Sequence, residues 1–349
     1  MYISQLELTH FRHFDQLSFK PGNHINVIHG GNGAGKTSVL EALYWMSHGR
    51  SFRQCRGMQL IQDNANMATI FVGFNDGQNR SIGWQKKRQG ASIWKLDRQS
   101  VDAFSKVAKS LPVQWLDTSS HREYASGPKV RRRFFDWGLF HVEQDFHHVW
   151  SSYQKALVQR NAALKQRQLL AQWDQQVITW GNQLHQLRQA YFERYRAVFL
   201  TYIERLLLSE LKADLNYDQG WGASLSLEEA LKASLQQDQH VGFTTQGPHR
   251  ADIIIETPNG PAHQRLSQGQ QKMLAYAWRL AQGEMLNHQR GSYGVLLIDD
   301  LTAELDPERR SCLLHWVSKQ SWQCFITAIH LKEVLPFFPD GQDYEELCL

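Results

Sequence analysis

The 349 residues are 42% apolar, 21% charged and 11% aromatic, and Lys plus Arg outnumber Asp plus Glu by 38 to 34, a net charge of +4. These are the proportions of a soluble globular chain, long enough for two domains or for one core with a large insertion, and no apolar run nears the roughly 18 residues that a membrane span needs. The N-terminus MYISQLELTH lacks a signal-peptide profile and the four cysteines (Cys55, Cys312, Cys324, Cys348) form no CxxC pair, so a cytoplasmic protein with free thiols and no membrane partner is expected, its slight basic excess permitting an anionic one.

The first 40 residues alternate apolar and polar, as in Ile3, Leu6, Leu8 and Phe11, and then Ile25, Val27 and Ile28 run into a glycine cluster. The pattern predicts strands, the last one entering a loop. Beyond Lys36, Val39, Leu40, Leu43 and Met46 share one helical face. Residues 67–97, with turn signals at Asn75-Asp76-Gly77, read as a small antiparallel meander. From Pro128 to Pro248 there is no intervening proline, and between Gly138 and Gly220 the only glycine is Gly181. Long helices are expected there: Leu184, Leu187, Tyr191, Tyr195, Val198 and Tyr202 recur at steps of three and four, and a partner helix is expected over 142–172. After about residue 243 strand, turn and helix return, in ADIIIET, SQGQQKMLAYAWRLAQGEML and VLLIDD, so the helical segment reads as an insertion.

Gly30, Gly31, Asn32, Gly33, Ala34, Gly35, Lys36 and Thr37 fit G-x-x-x-x-G-K-[ST], the nucleotide phosphate loop, with Ser38 next in line. Glycines allow successive amides to face phosphates, the helix N-terminus adds positive potential, Lys36 reaches the β- and γ-phosphates and Thr37 can ligate Mg²⁺. ATP with Mg²⁺ is the expected ligand. Val295 to Ile298 form a buried strand ending in Asp299 and Asp300, a Walker B arrangement; Asp299 is assigned to the metal and Asp300 to the general base. Leu266, Ser267, Gln268, Gly269 and Gln270 open a helix and resemble the signature of ABC-type ATPases, which closes over the γ-phosphate held by a second subunit. Ser267 with Gln270 also fits a plain capping box. Ala303-Glu304-Leu305-Asp306 resembles the loop that lines the dimer seam in such ATPases, and His330 lies beyond the strand Phe325–Ala328, either as a γ-phosphate switch or as an ordinary structural histidine.

Together these residues resemble the RecF family of SMC-related ATPases over nearly the whole chain. Gly127-Pro128-Lys129-Val130-Arg131-Arg132-Arg133-Phe134-Phe135-Asp136 looks like one family signature, and Leu297 through Leu313, with Asp299, Glu304-Leu305-Asp306 and Arg309, like a second. Gly247-Pro248-His249-Arg250-Ala251-Asp252 resembles a further block. Thr118-Ser119 and Ser126 depart from the family pattern, leaving Gln114 as the candidate for a lid or metal role there. The resemblance implies an α/β fold: an ABC-type P-loop ATPase head with mixed β-sheets and helices over 1–120 and 243–349, plus an inserted, mainly helical lobe over 121–242.

It also implies an ATP-dependent DNA clamp, associated with the nucleoid, that dimerises on ATP at duplex, junction or gapped DNA. Slow, DNA-stimulated hydrolysis would release it. RecA loading with RecR and RecO, replication and the SOS response are the implied context. Arg12 and Arg53 resemble phosphate-proximal arginines of SMC-like heads, and are otherwise surface charges. Lys129, Arg131, Arg132 and Arg133 read either as a DNA patch or as salt bridges tying the helical lobe to the head, with Asp136 as one partner. The alternatives are another SMC-like DNA-processing ATPase, a transporter engine, or a nucleotide-gated DNA-binding module with negligible turnover. The 120-residue interval between Pro128 and Pro248 is too short for a long-armed SMC.

Overall fold

The computed structural model describes residues 1–53, 55, 57–116, 122, 125–166, 170–206, 211–291, 294–300, 305, 307–339 and 341–349, and of Arg290 only the backbone. The chain divides into two compact units, residues 1–118 with 286–349, and residues 119–285.

In the first unit, β1 (Tyr2–Phe11) turns at Arg12 and His13 into β2 (Phe14–Phe19). β3 (Ile25–His29) is buried over its first four residues and leads through the glycine loop into α1 (Lys36–His48). The expected meander is present as β4 (Met67–Asn75), β5 (Asn79–Lys87), β6 (Ile93–Leu96) and β7 (Gln99–Ser100). With β2 and β1 they form a six-stranded antiparallel sheet in the order β2-β1-β4-β5-β6-β7. A short α2 (Phe104–Ser110) then leads to β8 (Val113–Leu116).

The second unit opens with α3 (Pro128–Val142), whose proline takes the first turn, where its missing N–H leaves no bond unmade. α4 (Phe146–Gln166) and α5 (Ala171–Arg205) pack as an antiparallel pair; α5 has 35 residues, about 52 Å of helix at 1.5 Å per residue. Its buried stripe, Val177, Gly181, Leu184, Arg188, Tyr191, Tyr195, Phe199 and Tyr202, runs at steps of three and four, with Arg188 and Phe199 buried where the sequence pointed to Leu187 and Val198. β9 (Asp214–Asp218), α6 (Leu227–Ala233), α7 (Leu235–Val241), β10 (Asp252–Thr257), β11 (Gly260–Pro261) and α8 (Gln268–Arg290) follow.

The second boundary falls at 285/286, not at the expected 242/243. β10 pairs with β9 and β11 in a separate three-stranded sheet instead of rejoining the head. Buried polar bonds hold it there, Arg131 to Asp252 and Arg188 to the Pro248 carbonyl at 2.6 Å, while the Tyr195 hydroxyl ties α5 to α8 through the Trp278 carbonyl. Arg160, fully buried, donates to Asp174 and Asp238 at 2.7 Å and to Thr244 at 2.8 Å, tying α4, α5 and α7 together.

The chain then returns to the first unit through β12 (Val295–Ile298), α9 (Pro307–Ser318), β13 (Gln323–Ala328) and β14 (Tyr344–Cys348). The parallel sheet reads β14-β3-β13-β12-β8. One core joins the inward residues of β1, β4 and β5 through α1 to Val113, Val295, Leu297 and Phe325 of this sheet. α1 is therefore buried almost all round, from Ser38 to Ser47, which leaves Glu41 inside the core and in need of a cation. Buried Gln323 links the layers: it accepts from Ile3 N at 2.6 Å and donates to the Ile3 and Gly22 carbonyls at 2.7 Å, satisfying its own amide and three backbone groups. Among the described residues no helix is long and apolar enough to cross a membrane.

Candidate nucleotide site

The phosphate loop forms because β3 stops at His29 and three glycines take backbone angles that side chains resist: Gly30 (φ 153), Gly33 (φ 84) and Gly35 (φ 105). At two of them space is also closed. A Cβ on Gly35 would overlap the His13 imidazole, and one on Gly30 would overlap the Leu349 carbonyl. Ser38 and Val39 amides bond back to the Gly35 carbonyl at 2.8 and 3.1 Å, while the Lys36 and Thr37 amides at the helix start have no acceptor within it. Lys36 Nζ donates to the Gly30 and Gly31 carbonyls at 2.6 and 2.9 Å.

β12 delivers Asp299 and Asp300 to the same place. Thr37 Oγ1 donates to Asp299 Oδ1 at 3.2 Å and Thr327 Oγ1, next to last in β13, donates to it at 2.7 Å. The Asp300 amide donates to Thr327 Oγ1 at 2.9 Å, and Asp300 takes φ 50. A cavity of about 320 Å³ is lined by the loop (Asn32, Gly33, Gly35 to Ser38), by Asp299 and Asp300, by Thr327 to Ile329, and by His13 and Arg53. The oxygen pair Thr37 and Asp299 suits Mg²⁺, a hard cation that takes one or two protein ligands and fills its shell with water and phosphate. Among the described residues no cluster of three or more His, Cys, Asp or Glu could hold a metal by itself, as this mode requires none.

The two arginines part company. Arg53 reaches the cavity, its Nη1 3.6 Å from Glu41 Oε2. Arg12 is absent from the lining: Nε and Nη2 grip Glu41 at 2.8 and 2.6 Å, Nη1 donates to the Gln59 carbonyl at 2.9 Å, and Nη2 also meets Cys55 Sγ at 3.0 Å. Burial disfavours the Arg12 charge, but Glu41 outweighs it and holds the guanidinium above its ordinary value. Arg12 is the cation that buried Glu41 demands. Ser51, whose hydroxyl bonds Glu41 and accepts the Arg53 amide at 2.9 Å, extends this support to Arg53.

The signature segment belongs to the second unit. Ser267 N donates to Gln270 Oε1 at 3.0 Å and Gln270 N to Ser267 Oγ at 3.3 Å, a reciprocal capping box at the start of α8. Ser267 and Gln268 remain exposed, Gly269 and Gln270 partly so.

The basic run is dismantled as a patch. Arg131 is buried and bidentate to Asp252 at 2.8 and 2.6 Å, and Arg132 donates to the Ala251 carbonyl. Burial, with Arg188 nearby, lowers Arg132 from its ordinary value. Lys129 and Arg133 stay exposed. These bonds lie within the second unit and do not tie a helical lobe to the head; Asp136 forms its ion pair with Arg188, at 2.8 Å. In the neighbouring block, His249 Nε2 donates to the Thr244 carbonyl at 2.9 Å, an acceptor only, so its Nδ1 accepts the Tyr153 hydroxyl at 2.7 Å. Burial pushes His249 down to about 4.

Gln114 is buried within β8. His330 is exposed, precedes a short 3-10 turn without a side-chain capping bond, and does not line the cavity. Glu304 and Asp306 lie outside the described residues; Arg309 is on α9. The sequence reading missed His13, Glu41 and Thr327. Glu41 and Thr327 had a faint signal, a polar residue set in an otherwise apolar helix or strand; His13 had none.

The family description "RecF/RecN/SMC N terminal domain" matches residues 2–335. "DNA replication and repair protein RecF" of Coxiella burnetii (strain Dugway 5J108-111) is 39% identical over 337 residues, 95% of this chain and 94% of that protein. Its counterpart from Marinomonas sp. (strain MWYL1) is 38% identical over 350 residues, 99% and 92%. Among solved structures, the recombination mediator protein RecF-ATP in the RecFOR pathway aligns with TM-score 0.84 at 23% identity, over 94% of this chain and 92% of that one. The Smc head bound to the C-winged helix domain of ScpA aligns with TM-score 0.59 at 15% identity, over 96% and 91%, a likeness of fold. The head is thus an ABC-type α/β fold, and the chain belongs to the RecF family of the RecF/RecN/SMC proteins.

Proposed function

We propose that this chain is an ATP-dependent DNA clamp of recombinational repair, which dimerises on ATP over duplex or gapped DNA and is released by slow hydrolysis. The observation that carries it is the single cavity shared by the phosphate loop, Lys36, Thr37, Asp299 and Asp300. The RecF-ATP neighbour and the repair and replication role of the curated relatives support the same reading. Lys36 and the free amides of the helix start hold the β- and γ-phosphates, leaving the loop carbonyls for them. Thr37 and Asp299 would hold Mg²⁺, which would supply charge neutralisation at the phosphate. Exposed Asp300 orients and deprotonates the attacking water. His13 and Arg53 complete the cavity wall against the nucleotide.

The exposed Ser267 segment serves the nucleotide of a second copy. Its capping bonds use the Ser267 oxygen as acceptor and leave the hydroxyl proton for a phosphate. ATP then shifts the monomer–dimer equilibrium by its differential affinity for the two states. DNA contact is carried by exposed cations such as Lys129, with RecR, RecO and RecA as downstream partners in the nucleoid. Sedimentation velocity with and without Mg-ATP tests this. The wild type should dimerise only with ATP and Ser267→Arg should bind ATP yet stay monomeric; a Ser267→Arg protein that still dimerises would sink the trans site.

A further inference from the structure

Thr327, next to last in β13, lines the cavity with its side chain buried, 1% exposed. A threonine hydroxyl has one proton and two lone pairs. Here the proton goes to Asp299 Oδ1 at 2.7 Å and a lone pair receives the Asp300 amide at 2.9 Å. The same Oδ1 takes the Thr37 hydroxyl at 3.2 Å. One oxygen therefore fixes the rotation of the Asp299 carboxylate toward Thr37, and also anchors the backbone of Asp300 at φ 50, a conformation L-residues disfavour. Valine would match the shape and the buried strand equally well, so packing alone does not call for the hydroxyl.

We infer that Thr327 is a positioning residue that clips the two acids into one register, Asp299 toward the metal and Asp300 toward the attacking water. The inference rests on the ATPase reading above. It separates two properties: the phosphate grip, made by the loop, is independent of Thr327, whereas metal affinity and hydrolysis depend on it.

The test compares wild type, Thr327→Val and Thr327→Ser, with Lys36→Ala as the blank. The readouts are ATP binding in EDTA, Mn²⁺ binding to the ATP complex by electron paramagnetic resonance, and single-turnover hydrolysis. Thr327→Val should bind ATP in EDTA within about twofold of wild type. Its Mn²⁺ affinity and its hydrolysis should each fall about 10- to 100-fold, the range for partners that orient metal ligands. Thr327→Ser, which keeps the hydroxyl, should recover both to within about threefold. A thermal melt without nucleotide verifies folding, and Thr327→Ala carries the same expectation should the valine variant not fold. Wild-type Mn²⁺ affinity and rate in a folded Thr327→Val protein would overturn the clip while leaving the ATPase intact. A wild type with no Lys36-dependent ATP binding would overturn the nucleotide-site reading, and the clip with it.

Discussion

Replacing Arg131 separates a buried strut from a DNA contact. Its guanidinium and the Asp252 carboxylate are 9% and 10% exposed and joined by two hydrogen bonds at 2.8 and 2.6 Å. Arg131→Ala leaves the carboxylate buried without its cation, and breaking such a pair from one side costs about 3–5 kcal/mol. With about 2–4 °C per kcal/mol for a unit of this size, the melting temperature should fall by on the order of 10 °C. Urea denaturation and thermal melts read the loss directly. Lys129→Ala, on an exposed side chain, should stay within about 0.5 kcal/mol of wild type and act on DNA alone. If Lys129 meets a phosphate, the slope of log affinity against log salt should flatten by about 0.9. The paired change Arg131→Met with Asp252→Leu should recover much of the stability, because it removes both charges together. An Arg131→Ala protein as stable as wild type, with a flattened salt slope instead, would refute the strut and restore the patch.

Removing the anchor of the nucleotide-side arginine should be felt at the cavity: Glu41→Ala frees Arg12, Ser51 and Arg53 together, so ATP should bind several-fold more weakly, and unchanged affinity in a folded variant would contradict the support assigned to Glu41. Acid should weaken the second unit through His249. Its folded pKa of about 4 lies below the ordinary 6.5, so on acidification the unfolded chain takes up the proton first. The stabilisation is intact above about 6.5 and is lost as pH falls toward about 4, by at most roughly 3 kcal/mol. Melts of wild type against His249→Gln across that window should converge as pH falls; parallel curves would deny the linkage.

The parts of the site built from neighbours in sequence were legible. Glycine spacing after a strand gave the phosphate loop, an apolar run ending in two acids gave the second wall, and the Ser267–Gln270 box spans three positions. What escaped depends on partners far along the chain. A run of basic residues does not reveal that Arg131 faces an aspartate 121 positions away, and its charge density reads as a patch until that partner is seen. The apolar pattern of β10 is the same whether it joins the head sheet or pairs with β9, so the boundary was set too early. Arg12 and His13 are adjacent in one turn, yet one locks onto Glu41 and the other lies against Ala34, its Nε2 3.1 Å from that carbonyl. Only the strand pairing decides which faces the cavity. Thr327 reaches Asp299 across 28 positions because β13 lies beside β12 in the parallel sheet.

Steady-state ATP hydrolysis without DNA, and with single-strand, duplex and gapped duplex DNA, tests the central claim most directly, with Lys36→Ala as the blank. The account predicts a slow basal rate that duplex or gapped DNA raises and that Lys36→Ala abolishes. A rate indifferent to every DNA, or one that survives Lys36→Ala, would contradict it.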